Sequence, residues 1–249
     1  MPQSQLKNLL QFDQKQETIY GIIGRMETLA GYFSRSQGFR RLLPFLQTYF
    51  LVTKTVALKS VAHEYYFQNP KKLEQLDIAF AALYFEPLLE YISTGSAPGP
   101  WYTYFSYCSK PSGVPFVQML LGINAHINGD LAYALSRVDY GEYKDFLIIN
   151  HILEEQIPKV MSYLAFTEYD AMGLGGLVFK KFVLQEFNQI IVGWRQQAWS
   201  NAQTYSTLDE LRRLTNIQAE DTALKLIEIF SDRYKLHKAP AKLDLLRNL

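Results

Sequence analysis

Residues 121–131 are Leu121-Gly122-Ile123-Asn124-Ala125-His126-Ile127-Asn128-Gly129-Asp130-Leu131, and they lie in the middle of a long apolar stretch. This run places two amides, an imidazole and a carboxylate in a segment whose apolar spacing predicts a helix. Burying such groups is costly unless each of them is paired. We therefore expect the fold or a ligand to satisfy them, which makes this run the best candidate site in the chain.

The overall composition is that of a folded protein, with 249 residues of which 48% are hydrophobic and 20% charged. The 25 basic and 24 acidic residues give a net charge of +1. A nucleic-acid binder usually shows a basic excess or stripe, so no nucleic-acid partner is predicted. The short basic pairs Lys71-Lys72, Lys180-Lys181 and Arg212-Arg213 are expected to lie on solvated helix faces.

The single cysteine, Cys108, excludes an internal disulfide and a zinc site built from several cysteines. No histidine or recognisable nucleophile motif lies beside it in the sequence, so we expect an inert thiol. The first residues do not resemble a signal peptide, and no stretch reaches the ~18 apolar residues of a transmembrane helix. These features predict a soluble cytoplasmic protein.

Apolar residues recur mainly at spacings of three and four, and alternation typical of strands is scarce. We predict an all-α fold: a single-domain, multi-helix bundle over residues 1–249, with a central buried helix around residues 116–137. Loops are expected near residues 93–100 and 167–176, because both stretches are rich in glycine or other loop-forming residues. The other predicted helices cover residues 19–31, 39–67, 70–92, 101–107, 143–164 and 177–205, with two shorter ones in residues 207–236.

A helical projection at about 100° per residue divides the polar run into two pairs. Asn124 and Asn128 fall within the apolar face of the central helix. His126 and Asp130 fall on a second face, together with Tyr133 and Arg137. Gly122 and Gly129 would allow a neighbouring helix, or a ligand, to approach the backbone closely.

Two interpretations of the His126–Asp130 pair remain open. In the first, the pair binds a metal or performs acid–base chemistry, because an i, i+4 spacing brings an imidazole and a carboxylate together. A catalytic metal would need a further ligand, and the other histidines are His63, His151 and His237. In the second, the polar groups only satisfy one another or nearby backbone. His151 and Glu155 form a second i, i+4 pair, which is predicted to face solvent.

Arg195 is predicted to lie within an apolar stripe of the helix at residues 177–205. A buried arginine requires a carboxylate partner, and Asp77, Asp130 and Glu154 are the candidates. Asp77 lies on the same helix face as Phe80, so we expect it to point inward. Trp199 either stacks on Arg195 or fills the core, and the sequence favours the core.

Several segments together resemble the DUF5995 family of uncharacterised bacterial proteins. They are Arg25-Met26, residues 45–53, 76–85 and 118–135, Trp101 with Phe105, Asp145-Phe146 with Asn150, and Arg195 with Trp199. The resemblance implies one helical domain and no established activity. It also implies a shared polar centre, whose candidate ligand-binding residues are Asp77, Asn124, His126, Asn128, Asp130, Asn150 and Arg195.

Three hypotheses on function follow. The first is a domain that binds a small molecule or lipid head group at this polar centre. The second is a metal-dependent hydrolase in which His126 and Asp130 are the candidate catalytic and metal-binding residues. The third is a structural or interaction protein whose polar network only specifies packing. No motif indicates a cofactor or an oligomeric state.

Overall fold

The computed structural model describes residues 3–62, 67–172 and 177–230, and within these ranges it contains helices, turns and no strand. This confirms the all-α, multi-helix class predicted from the apolar spacing. Within the same ranges no helix is long and apolar enough to span a membrane. The helices are α1 (Gln3–Leu10), α2 (Ile19–Arg35), α3 (Leu43–Ala62), α4 (Pro70–Thr94), α5 (Pro100–Ser109), α6 (Pro115–Ile123), α7 (Leu131–Arg137), α8 (Tyr143–Met172), α9 (Leu177–Thr204) and α10 (Leu208–Phe230).

The central helix is continuous from Pro115 to Arg137, but its middle is a π-helix over Asn124–Asp130. The backbone stays in the right-handed helical region at Asn124 and at Leu131. The central helix is therefore continuous through α6, this π segment and α7. Such π-helical segments are rare and are often found at functional sites. The central helix predicted around residues 116–137 is thus confirmed, with a wider turn than an α-helix at its centre.

The π segment is buried on all sides. Every residue from Asn124 to Asp130 is buried, because α4, α5, α9 and α10 all pack against this segment. His126 and Asp130 share a face, as the projection predicted, because His126 Nδ1 lies 3.3 Å from Asp130 Oδ2. Helices far away in the sequence cover this face at both residues, whereas Arg137 is exposed.

Several helix ends follow local sequence signals, whereas α2, which was expected to end at residue 31, runs to Arg35. Asn69 caps α4 by accepting a hydrogen bond from the Lys72 amide at 3.1 Å, and Gly95 ends that helix in the left-handed conformation. The loop predicted at residues 167–176 is wrong in its first part, since α8 continues to Met172. The two helices expected in residues 207–236 are a single helix up to Phe230. Residues 173–176 and 231–236 lie outside the described ranges.

The two glycines of the central helix allow close packing between helices. A Cβ atom on Gly122 would overlap the Cβ atom and ring of Phe45 on α3. A Cβ atom on Gly129 would meet Pro100 Cγ at 3.2 Å and Ala219 Cβ at 3.5 Å, on α5 and α10. Of the two roles expected for these glycines, the structure favours helix approach.

We predict that Gly122→Ala lowers the free energy of unfolding by about 3 kcal/mol, because the added methyl group must displace the Phe45 side chain. Gly24→Ala is the matched control, since an added Cβ atom at this exposed position in α2 has no neighbour within 4 Å. The control should raise stability by about 0.5–1 kcal/mol. Urea denaturation measures both changes, and equal stability of the two variants would contradict the proposed close approach.

Candidate functional site

The carboxylate of Asp130 is fully buried and accepts hydrogen bonds from three helices or helical segments. Its Oδ2 atom accepts from Trp101 Nε1 at 2.9 Å and lies 3.3 Å from His126 Nδ1. Its Oδ1 atom accepts from Arg212 Nη1 on α10 at 2.6 Å. Arg212 therefore supplies the positive charge that a buried carboxylate requires.

His126 is held by this carboxylate in a defined protonation state. Burial lowers the pKa of the imidazole, against the opposing effect of Asp130, so the ring is neutral at neutral pH. Because Nδ1 faces a carboxylate oxygen, the proton belongs on Nδ1 and the Nε2 atom carries the lone pair. Nε2 is buried and has no hydrogen-bond partner among the residues that the structure describes. The ring stacks on Phe80, with centroids 3.5 Å apart and planes inclined by 8°.

His126 lines a cavity of about 80 Å³ between α3, α4, the central helix, α8 and α9. Most of its wall is apolar, so the few polar side chains stand out against it. Those that carry charge or titrate are Tyr49, Asp77, His126 and Arg195. The apolar lining includes Val52, Val56, Leu76, Phe80, Ile127, Ile149, Leu153 and Ile191.

Arg195 is a buried cation in the wall of this cavity, with 4% of its surface exposed. Its Nε atom donates a hydrogen bond to Asn150 Oδ1, and its guanidinium carbon lies 4.5 Å from the centroid of the Phe146 ring. No carboxylate oxygen of the described residues lies within 4.0 Å of its nitrogens. Burial lowers the pKa of Arg195 to about 10, which leaves the guanidinium protonated at neutral pH.

Asp77 is partly buried and faces the same cavity. Its Oδ2 atom has no hydrogen-bond partner within the described part of the chain. Burial raises the pKa of Asp77 from 3.8 to about 7, although Arg195 favours the ionised form. The inward orientation expected from its helix face is therefore correct, and burial favours the protonated form of this carboxyl group.

A second, larger cavity of about 320 Å³ lies on the outer side of Asp77, between α2, α3 and α4. Val56 and Asp77 line both cavities. Tyr20, Lys71 and Glu74 give the outer cavity a more polar wall. Asp77 thus lies between this outer cavity and the inner cavity, which is the one that His126 and Arg195 line.

The two asparagines of the central run have a different environment from His126. Asn124 Nδ2 donates to the carbonyl oxygen of Ala219 on α10 at 2.7 Å, and Asn128 Nδ2 lies 3.1 Å from Asn124 Oδ1. Asn128 also reaches Thr222 Oγ1 at 3.4 Å. Neither amide lines the cavity, so these contacts fasten α10 to the central helix.

The structure therefore sorts the candidate residues into three groups. Asp77, His126 and Arg195 line one cavity; Asp130 and Asn150 hold two of them in place; and Asn124 and Asn128 join helices. The suggested Asp130–Arg195 pair is not present, because Arg212 is the partner of Asp130. The expectation of a solvated Arg212 was wrong for the same reason.

Other residues named from the sequence lie away from this cavity. Cys108 is buried, and burial raises the pKa of its thiol, as expected for an inert cysteine. The side chain of His151 is 60% exposed and lies 3.3 Å from Glu155, which confirms a solvent-facing pair. His63 and His237 lie outside the described residues. Within the described ranges, no three His, Cys, Asp or Glu side chains are grouped as a metal site would require.

Sequence reasoning missed Arg212, Tyr49 and the supporting aromatic Phe146. For Arg212 the sequence held a signal, because Thr215 and Ala219 follow it at helical spacing and place it on the same helix face. In the structure both of these residues are buried on α10. Trp199 packs in the core, where its ring centroid lies 4.9 Å from that of Phe146. The guanidinium of Arg195 packs on the ring of Phe146 and not on Trp199. Tyr49 gave no signal, because it lies in a helix that is apolar on nearly every face.

Comparison with known proteins gives one result. The model of a family described as "Family of unknown function (DUF5995)" matches residues 19–230. The match covers the central helix and every residue of the cavity wall. No curated protein and no solved structure matches the chain.

We predict that a double-mutant cycle assigns the charge partner of Asp130. Asp130→Asn should lower the free energy of unfolding by about 3 kcal/mol, because it leaves Arg212 without its buried carboxylate. Asp130→Asn and Arg212→Met should couple by more than about 1 kcal/mol, and Asp130→Asn and Arg195→Met should be additive within about 0.5 kcal/mol. Denaturant melts measure all terms, and the reverse pattern would show that Arg195 is the partner.

Proposed function

The chain belongs to the DUF5995 family, and because that family is described as one of unknown function, we propose from the site alone that the protein binds a small organic molecule in the inner cavity. The apolar wall accommodates the body of the ligand. His126 Nε2, Asp77 and Arg195 bind its polar group.

One observation carries this proposal: two buried side-chain atoms without a protein partner belong to residues that line the same apolar cavity, beside the buried cation of Arg195. His126 Nε2 and Asp77 Oδ2 have no hydrogen-bond partner among the described residues, and Arg195 has no carboxylate within 4.0 Å. An unsatisfied buried polar group costs about 1–3 kcal/mol, and more when it is charged. Two such atoms beside a cation that lacks a carboxylate partner are costly for the protein alone, and a ligand that pairs with them would offset that cost.

The hypothesis of a purely structural network fits another part of the site. Asn124, Asn128 and Asp130 find protein partners and need no ligand. At the cavity wall, by contrast, His126 Nε2 and Asp77 Oδ2 have no such partner among the described residues. This contrast supports binding over packing as the role of the cavity, while the metal-dependent hydrolase has no grouped ligand set in the described ranges to support it.

The volume limits the size of the ligand. A cavity of about 80 Å³ has room for roughly five to eight water-sized groups, if each needs about 10–15 Å³. The ligand, or the part of it that enters, is therefore small.

We predict that the cavity binds at least one of four probes of matching size: sodium butyrate, butyramide, n-butanol and n-butylamine. Saturation-transfer NMR on the full chain detects binding of each probe. Val52→Phe should abolish the signal, because Val52 lines the cavity and the larger side chain fills it. Leu51→Phe, one residue away on α3 and not part of the wall, is the matched control and should leave binding intact.

Two results would contradict the proposal. One is the absence of binding for all four probes. The other is binding that is equally strong in the Val52→Phe variant, since the probe would then occupy a different site. Thermal melts of both phenylalanine variants verify that they remain folded.

A further inference from the structure

Arg195 has more hydrogen-bonding capacity than its protein neighbours use. Its Nε atom is bound to Asn150, and Phe146 packs against the guanidinium plane. Its Nη1 and Nη2 atoms form no hydrogen bond with any described residue, yet they belong to a side chain that lines the inner cavity. Asn150 and Phe146 thus fix the orientation of the guanidinium and leave its Nη1 and Nη2 atoms available to bind a carboxylate bidentately.

The charge balance of the cavity favours an anion over a cation. Arg195 stays protonated at neutral pH, although burial lowers its pKa to about 10. Asp77 has a pKa of about 7, so it can take up a proton and donate a hydrogen bond instead of repelling an anion. His126 is neutral because burial lowers its pKa. Arg195 is therefore the group in this wall whose charge is retained when a ligand enters.

The remainder of the wall specifies the rest of the molecule. Leucine, isoleucine, valine and phenylalanine side chains from five helices surround the polar groups. An aliphatic chain is desolvated there at no polar cost. The small volume restricts this chain to a few carbon atoms.

We infer that the ligand is a short-chain monocarboxylate, held by an ion pair between its carboxylate and Arg195 and by apolar contacts along its alkyl chain. This inference rests on the proposed function, because it names the ligand class of the same cavity. His126 Nε2 and the Asp77 carboxyl group lie in the wall beside Arg195 as further hydrogen-bonding groups.

The test compares probes of nearly equal shape and different charge. Isothermal titration of the full-length protein with sodium butyrate, butyramide and n-butylamine gives the affinity for an anion, a neutral amide and a cation. We expect butyrate to bind at least about tenfold more tightly than butyramide, and n-butylamine to bind most weakly. Arg195→Met should abolish the preference for butyrate, and Arg213→Met, at an exposed position of α10, should keep it.

The outcomes separate this inference from the proposed function. Butyramide or n-butylamine binding as tightly as butyrate would overturn the carboxylate assignment while leaving a ligand cavity. A preference for butyrate that persists in Arg195→Met would overturn it as well. The comparison of probes on the unmodified chain needs no variant, so the inference stays testable even if Arg195→Met fails to fold. Binding of none of the probes would overturn both proposals.

Discussion

The buried carboxylate of Asp130 is the constraint on which the rest of the site depends. A fully buried charge is tolerated only with a counter-charge and hydrogen bonds to its remaining lone pairs. Asp130 obtains them from Trp101 on α5, His126 in the π segment and Arg212 on α10. One side chain thereby fixes the relative positions of three helical segments that are distant in sequence.

The same contact determines the chemistry presented to the cavity. By accepting from Nδ1, Asp130 leaves the lone pair of His126 on Nε2, as carboxylate–imidazole pairs do in many sites. Asn150 acts in the same manner on Arg195, since it binds Nε and leaves the outer nitrogens of the guanidinium for another partner. His126 and Arg195 thus each have a holding residue, and both line a cavity whose wall is otherwise mostly apolar.

The sequence predicted the helical class and most helix boundaries, because proline, glycine and apolar spacing are local signals. Gly95 and Asn69 behave as such signals require. The π segment could not be predicted in this way, since a fixed angle per residue assumes the α-helical turn. The sequence predicted that both Arg212 and Arg213 are solvated, but only Arg213 is exposed. Adjacent arginines look alike in the sequence, and only the packing of α10 on the central helix gives them different environments. Arg195 was expected to be buried, as it is, but its partner depends on long-range contacts that spacing does not encode.

The most direct test of this account is the protonation state of His126. Two-bond ¹H–¹⁵N correlation spectra at pH 7 distinguish the two neutral tautomers and the imidazolium, and His126→Gln identifies the resonance. We expect a neutral ring with its proton on Nδ1 and an unprotonated Nε2. A proton on Nε2, or a fully protonated ring, would contradict it, because neither form leaves a lone pair on Nε2 at the cavity.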